Sequence, residues 1–116
     1  KLYVEGDSSR LIRAFNNLVA NALDSLYDAG SESLVNIEVL ESGKYAIVKV
    51  SDQGIGIPKE KLERIFEPRF TTKTHGLGLG LAMVKSIVEQ TNGKVSVQSE
   101  NGKGAVFTVK LPKVGK

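Results

Sequence analysis

Between Tyr45 and Ile57 the chain makes two demands on a fold at once. Tyr45 to Val50 reads as a strand, and alternation with period two puts Ala46, Val48, Val50 and Asp52 on one face. Val48 and Val50 belong in a core, so Asp52 points at the interior, where a carboxylate is costly unless donors meet it. Gly54 and Gly56 follow at once, removing side-chain bulk and letting backbone come close to a flat ligand. Two readings stand at this point. Either Asp52 hydrogen-bonds a buried ligand, or Asp52-Gln53-Gly54 is a turn closing a strand, as Asp-X-Gly sequences often are. Taken alone, the stretch favours the turn.

The remainder of the chain supplies the surroundings. Lys1 to Glu5 is a short strand candidate, and Gly6-Asp7-Ser8-Ser9 is a turn able to provide a helix N-cap. Leu11, Ile12, Phe15, Leu18, Val19, Ala22, Leu23 and Leu26 then recur with helical spacing and predict a helix from about Ser9 to Tyr27. Asn17, Asn21, Asp24 and Asp28 also line up along one side of it. Two asparagines one turn apart in so apolar a helix are unusual, because Asn is a poor helix former and costs energy if buried without partners. They either face water near loops or serve a ligand.

Gly30 is placed to end this helix. Leu34 to Leu40 reads as a strand with Val35, Ile37 and Val39 on one face, joined through Ser42-Gly43-Lys44 to the strand that ends in Asp52. Pro58 sits where a first helical turn tolerates it, opening a short helix to about Arg64 or Ile65. Phe66 to Gly76 has no clean period and reads as a long loop, which inside a compact domain is usually functional. A second long helix runs to about Gln90 with Leu77, Leu81, Val84 and Val88 inward, helped by Ile87, and Asn92-Gly93 stops it. Lys94 to Ser99 and Ala105 to Leu111 are two further strands. The order predicts a two-layer α/β sandwich, with helices on one face of a mixed, mostly antiparallel sheet.

Composition narrows the classes. At 116 residues the chain suits one domain, spanning 1–116. A net charge of +3 from scattered basic residues gives little reason to expect nucleic acid or direct membrane contact. With no cysteine, disulfides, thiolate nucleophiles and cysteine-ligated metals are excluded. No apolar run reaches membrane-spanning length and no signal peptide is visible. The expectation is a cytoplasmic domain of a longer protein, whose parent can still be membrane-anchored.

In Gly76-Leu77-Gly78-Leu79-Gly80-Leu81, glycines alternate with leucines ahead of a helix, giving exposed N–H groups at the positive end of a helix dipole, where phosphates bind. It is neither a Walker loop nor a dinucleotide fingerprint. Combined, an interior Asp beside glycines can hold an adenine amine, and this helix start can hold phosphates. Asn17 and Asn21 can offer amide oxygens to Mg²⁺, a hard cation that keeps several waters.

At these residues the chain resembles the catalytic ATP-binding domain of two-component sensor histidine kinases, within the ATPase/kinase superfamily of Hsp90, DNA gyrase and MutL. Asn17-Leu18-Val19-Ala20-Asn21-Ala22 is similar to the N box and Asp52 to Ile57 to the first glycine box. Phe66-Glu67-Pro68-Arg69-Phe70-Thr71-Thr72-Lys73 is similar to the F box of nitrogen-regulation-type kinases, and Gly76 to Leu81 to the second glycine box. The resemblance implies a Bergerat-type fold and assigns roles. Asp52 would accept from the adenine amine, and Asn21 would ligate Mg²⁺, with Asn17 near the phosphates. Gly54 and Gly56 would make room for base and lid hinge, with Ile57, Leu79 or Leu81 packing on the adenine. Gly76, Gly78 and Gly80, with Leu77 between them, would shape the lid over ATP. Thr72 and Lys73 would lie at the nucleotide, Lys73 neutralising γ-phosphate charge. Asn17, Asn21 and Lys73 are thus the catalytic candidates.

Departures accompany the match. Asp24 stands where many members carry a basic residue, Ser25 where an aromatic often follows, and Arg69 where an apolar residue is common. Hydrolytic relatives carry a Glu at the position of Asn17, and an amide cannot activate water as a general base. The implied reaction is therefore transfer from ATP to a histidine on a separate dimerising helical hairpin, with a response-regulator receiver domain as the further partner. His75 lies in the lid rather than on such a helix and is not assigned as acceptor. An anti-sigma-factor-type serine kinase is the alternative in the same fold, disfavoured by the Phe-Glu-Pro and Thr-Thr-Lys lid. A nucleotide-sensing module that transfers nothing and a gyrase-like hydrolytic machine complete the field.

Overall fold

The computed structural model describes residues 3–30, 33–67, 80–100 and 102–114. Helix α1 (Ser8–Asp28) opens at Asp7, whose carboxylate accepts from the backbone N–H groups of Ser9 (3.0 Å) and Arg10 (3.3 Å) and from the Ser9 hydroxyl (2.9 Å). Those donors would otherwise be orphaned at the helix start. The Ser9 hydroxyl first, and then the Arg10 N–H, hold the Asp7 carboxyl below its ordinary value.

Strands β1 (Asn36–Ser42) and β2 (Tyr45–Asp52) form a hairpin closed at Ser42–Tyr45, with Gly43 at φ 57 in the turn. The short helix α2 (Lys59–Leu62) follows Pro58 and gives way to turns before Ile65, earlier than the pattern suggested. Helix α3 (Gly80–Gln90) ends as Asn92-Gly93 requires. Asn92 adopts φ 63, its N–H donates to the Glu89 carbonyl (3.0 Å), and the Gly93 N–H donates to the Val88 carbonyl (3.0 Å). This is a Schellman closure with asparagine in the left-handed position. Strands β3 (Lys94–Ser99) and β4 (Ala105–Pro112) complete the sheet.

The sheet order is β1-β2-β4-β3, and every pairing among the described residues is antiparallel, in keeping with the mostly antiparallel sheet the sequence suggested. The expected strand at Lys1 to Glu5 reduces to one antiparallel bridge, Val4 with Lys113; Lys1 and Leu2 lie outside the described residues. Helix α1 packs on β2 and α3 on β3, with the two helices against each other, giving the two-layer sandwich.

The core lies between the layers. Ala14, Leu18 and Ala22 of α1 meet Val84, Ile87 and Val88 of α3 over Val50 of β2 and Phe107, Val109 and Leu111 of β4. Phe107 is 1% exposed, and the Phe66 ring meets it edge-on at 6.2 Å. The strand expected at Leu34 starts two residues later, leaving Leu34 87% exposed. Ile37 and Val39 do share a face with Val50 and Val48, as the register shows, yet remain 54% and 60% exposed. Among the described residues, two helices cover the middle and far side of a four-stranded sheet and leave β1 exposed.

Candidate nucleotide site

Asp52 is the last residue of β2, on the helix-facing side and 6% exposed. Its Oδ1 accepts from the Gly54 N–H at 2.8 Å, which is the turn that an Asp-X-Gly sequence favours. Its Oδ2 is buried with no hydrogen-bond partner, alone in this among side-chain atoms of the described residues. Turn and ligand readings therefore do not compete: one oxygen makes the turn and the other is left for something else. A buried carboxylate oxygen without a donor is costly, so a further donor satisfies a standing requirement.

The segment after Asp52 is held from two sides. Toward α1, the Ile55 N–H donates to Ser25 Oγ at 3.1 Å. Toward the sheet, the Ile57 N–H donates to Ser99 Oγ at 2.8 Å, and the Gly102 N–H donates to the Ile55 carbonyl at 2.6 Å. The two glycines have packing reasons of their own. A Cβ on Gly54 would collide with Ser25 Oγ and stand 2.6 Å from the Ser25 carbonyl carbon. Gly56 has φ +72, and a Cβ there would run into the Glu100 carbonyl. Ile57 is partly buried and packs against the core.

Asn17, Asn21 and Ser25 stand at intervals of four along α1 and make one row. With a rise of about 1.5 Å per residue the row spans roughly 12 Å. Its far end is Asn17, whose Nδ2 donates to the Arg13 carbonyl at 2.9 Å. The Asn17 Oδ1 lies 3.0 Å from where a Cβ on Gly80 would stand, so Gly80 lets α3 begin against this amide. Asn21, between the ends, is partly buried, as is Asp24 beside it. Leu81 follows Gly80 and packs against the core.

Of the expected site residues, Asn17, Asn21, Asp52, Gly54, Gly56, Ile57, Gly80 and Leu81 are therefore placed along α1, at the end of β2 and the segment after it, and at the start of α3. Thr72, Lys73, Gly76, Leu77, Gly78 and Leu79, together with Arg69 and His75, lie outside the described residues. Ser99 and the turn after it were not singled out from sequence, because Glu100 to Gly104 read only as a strand connection. Ser25 had been noted only as a missing aromatic. Cavities of about 470 Å³, beside α3 and Phe66, and about 600 Å³, beside the start of α1, include none of Asp52, Asn17 or Asn21 and hold no buried unpartnered polar atom.

The family model described as histidine kinase-, DNA gyrase B-, and HSP90-like ATPase matches residues 6–115, and the chain belongs to that family. It is 43% identical over 114 residues to the sensor histidine kinase ZraS of Salmonella typhimurium, covering 97% of this chain and 24% of that protein. It is 36% identical over 109 residues to sporulation kinase C of Bacillus subtilis, covering 94% of this chain and 25% of that one. Among solved structures it is similar to the mycobacterial sensor histidine kinase MprB, with TM-score 0.85 and 30% identity over 97% of this chain and 76% of that one. It is also similar to the catalytic domain of the histidine kinase ThkA, with TM-score 0.80 and 36% identity over 95% of this chain and 70% of that one. The chain spans about a quarter of the curated relatives' length (24% and 25%). Among the described residues no helix is long and apolar enough to cross a membrane.

Proposed function

We propose that the chain binds Mg-ATP along the α1 row and supplies the γ-phosphoryl group to a histidine on a separate helical hairpin, which in turn serves a receiver domain. The observation that carries the binding reading is Asp52 Oδ2, buried and without a donor among the described residues. The exocyclic amine of adenine is such a donor, and a base at that end of the row leaves the phosphates toward Asn17 and the start of α3. There the N–H groups of the glycine-rich approach would take phosphate oxygens. Ile57 and Leu81 would pack on the base, and Lys73, with Thr72, would serve the γ-phosphate.

The described residues contain no group of three or more His, Cys, Asp or Glu able to hold a metal. A magnesium ion would thus take one amide oxygen, from Asn21, and most other ligands from phosphates and water, as Mg²⁺ commonly does with nucleotides. When bound it would neutralise charge on the phosphates. Asn17 has no titratable group, so water is not activated there and intrinsic hydrolysis is slow. The named kinase relatives support transfer rather than hydrolysis.

Calorimetric titration with ADP tests the assignment. Asp52→Asn, which removes the charged acceptor, weakens binding by about 1.5–3 kcal/mol. Asn21→Ala loses more affinity in magnesium than in EDTA. Unchanged ADP affinity in the first variant, or equal losses in both conditions for the second, contradicts the corresponding role.

A further inference from the structure

We infer that Ser25 and Ser99 are positioning residues, two hydroxyls that clamp the segment after Asp52 from opposite layers and thereby set where the Asp52 carboxylate stands. The inference rests on the assignment of Asp52 to the base. Ser25 is 5% exposed, unusually deep for a serine, and it comes from the helix layer. Its Oγ receives the Ile55 N–H at 3.1 Å, between residues 30 apart in sequence. Ser99 comes from the sheet layer. Its Oγ accepts from the Ile57 N–H at 2.8 Å and donates to the Gly104 carbonyl at 2.6 Å, so both its hydrogen-bonding capacities are used and its direction is fixed.

Steric contacts reinforce both clamps. Gly54 lies so close over Ser25 that no side chain fits between them, and Gly104, at φ +89, lies equally close over the Asp52 carbonyl. Asp52 is therefore enclosed, with its own side chain tied to Gly54, Ile55 tied to α1, Ile57 tied to β3, and the β3–β4 turn against its carbonyl. A carboxylate that must meet a donor within hydrogen-bond range tolerates little displacement, since such bonds weaken steeply with geometry. Losing either hydroxyl leaves a loop N–H without its acceptor and lets the segment shift.

The test is a double-mutant cycle on the 116-residue chain, read by ADP affinity. Ser25→Ala lowers affinity about fivefold when Asp52 is present and less than twofold when Asp52 is already Asn, because the clamp acts through the carboxylate. Ser99→Ala, which lies in the other layer, shows the same dependence and keeps the test open if Ser25→Ala does not fold. A loss of equal size in both backgrounds, or no loss in either, overturns the inference, since a serine that only supports the fold is indifferent to residue 52. If Asp52→Asn alone leaves ADP affinity unchanged, the assignment of Asp52 fails and the clamp fails with it. That result is distinct from a working Asp52 whose loss simply adds to those of the serines.

Discussion

Asp52 gives one oxygen to the fold and leaves the other, in the proposed reading, for a ligand, while the glycines beside it answer to close packing. Interior placement of Asp52 was legible from alternation alone, because period two is a property of the backbone. The roles of Ser25 and Ser99 were not, since their hydrogen bonds join residues 30 and 42 apart in sequence and exist only once the layers have packed. Gly54 is the sharpest residue-scale test of that packing. In Gly54→Ala the methyl has to displace the Ser25 backbone as well as its hydroxyl. The expected cost is roughly 1–3 kcal/mol of unfolding free energy by urea denaturation, accompanied by weakened ADP binding. A variant as stable as the parent would show that α1 can move away from the loop.

Both long helices were readable as elements because their apolar stripes and stop signals agree. The edges of the sheet were not. Lys1 to Glu5 has strand-like composition, but pairing depends on a partner, and among its described residues the pairing amounts to one bridge, Val4 with Lys113. At the start of α1 the capping carboxylate carries a pH signature. Its folded-state pKa lies below the ordinary value, so its contribution is present above the unfolded pKa and is lost as pH falls through the folded one. Asp7→Ala should accordingly lower Tm at pH 7. The gap to the parent should close as pH falls below about 3.9. Thermal melts across that range check it; a gap that persists to pH 2 would assign the loss to packing instead of the cap.

For the molecule as a whole, the class of fold was legible from the order of elements, whereas the strand order was not. Each hairpin is local and announces itself, but the pairing of β2 with β4 joins two hairpins far apart in the chain and has no local signal. The proposed function divides labour between domains. The one histidine, His75, lies outside the described residues, and the proposed acceptor is on another domain. Incubation of the chain with labelled ATP should therefore leave it unlabelled, and a phosphate recovered on His75 would overturn that. The bare strand β1 has a consequence for how the molecule breathes. Among the described residues β4 is bonded on both sides and roofed by helices, while β1 has one neighbour and no roof. Local opening should follow that gradient. In deuterium exchange the β1 amides bonded to β2 should exchange well before those of β4, so the sheet would fray from the β1 edge while the Asp52 end of β2 stays closed under α1.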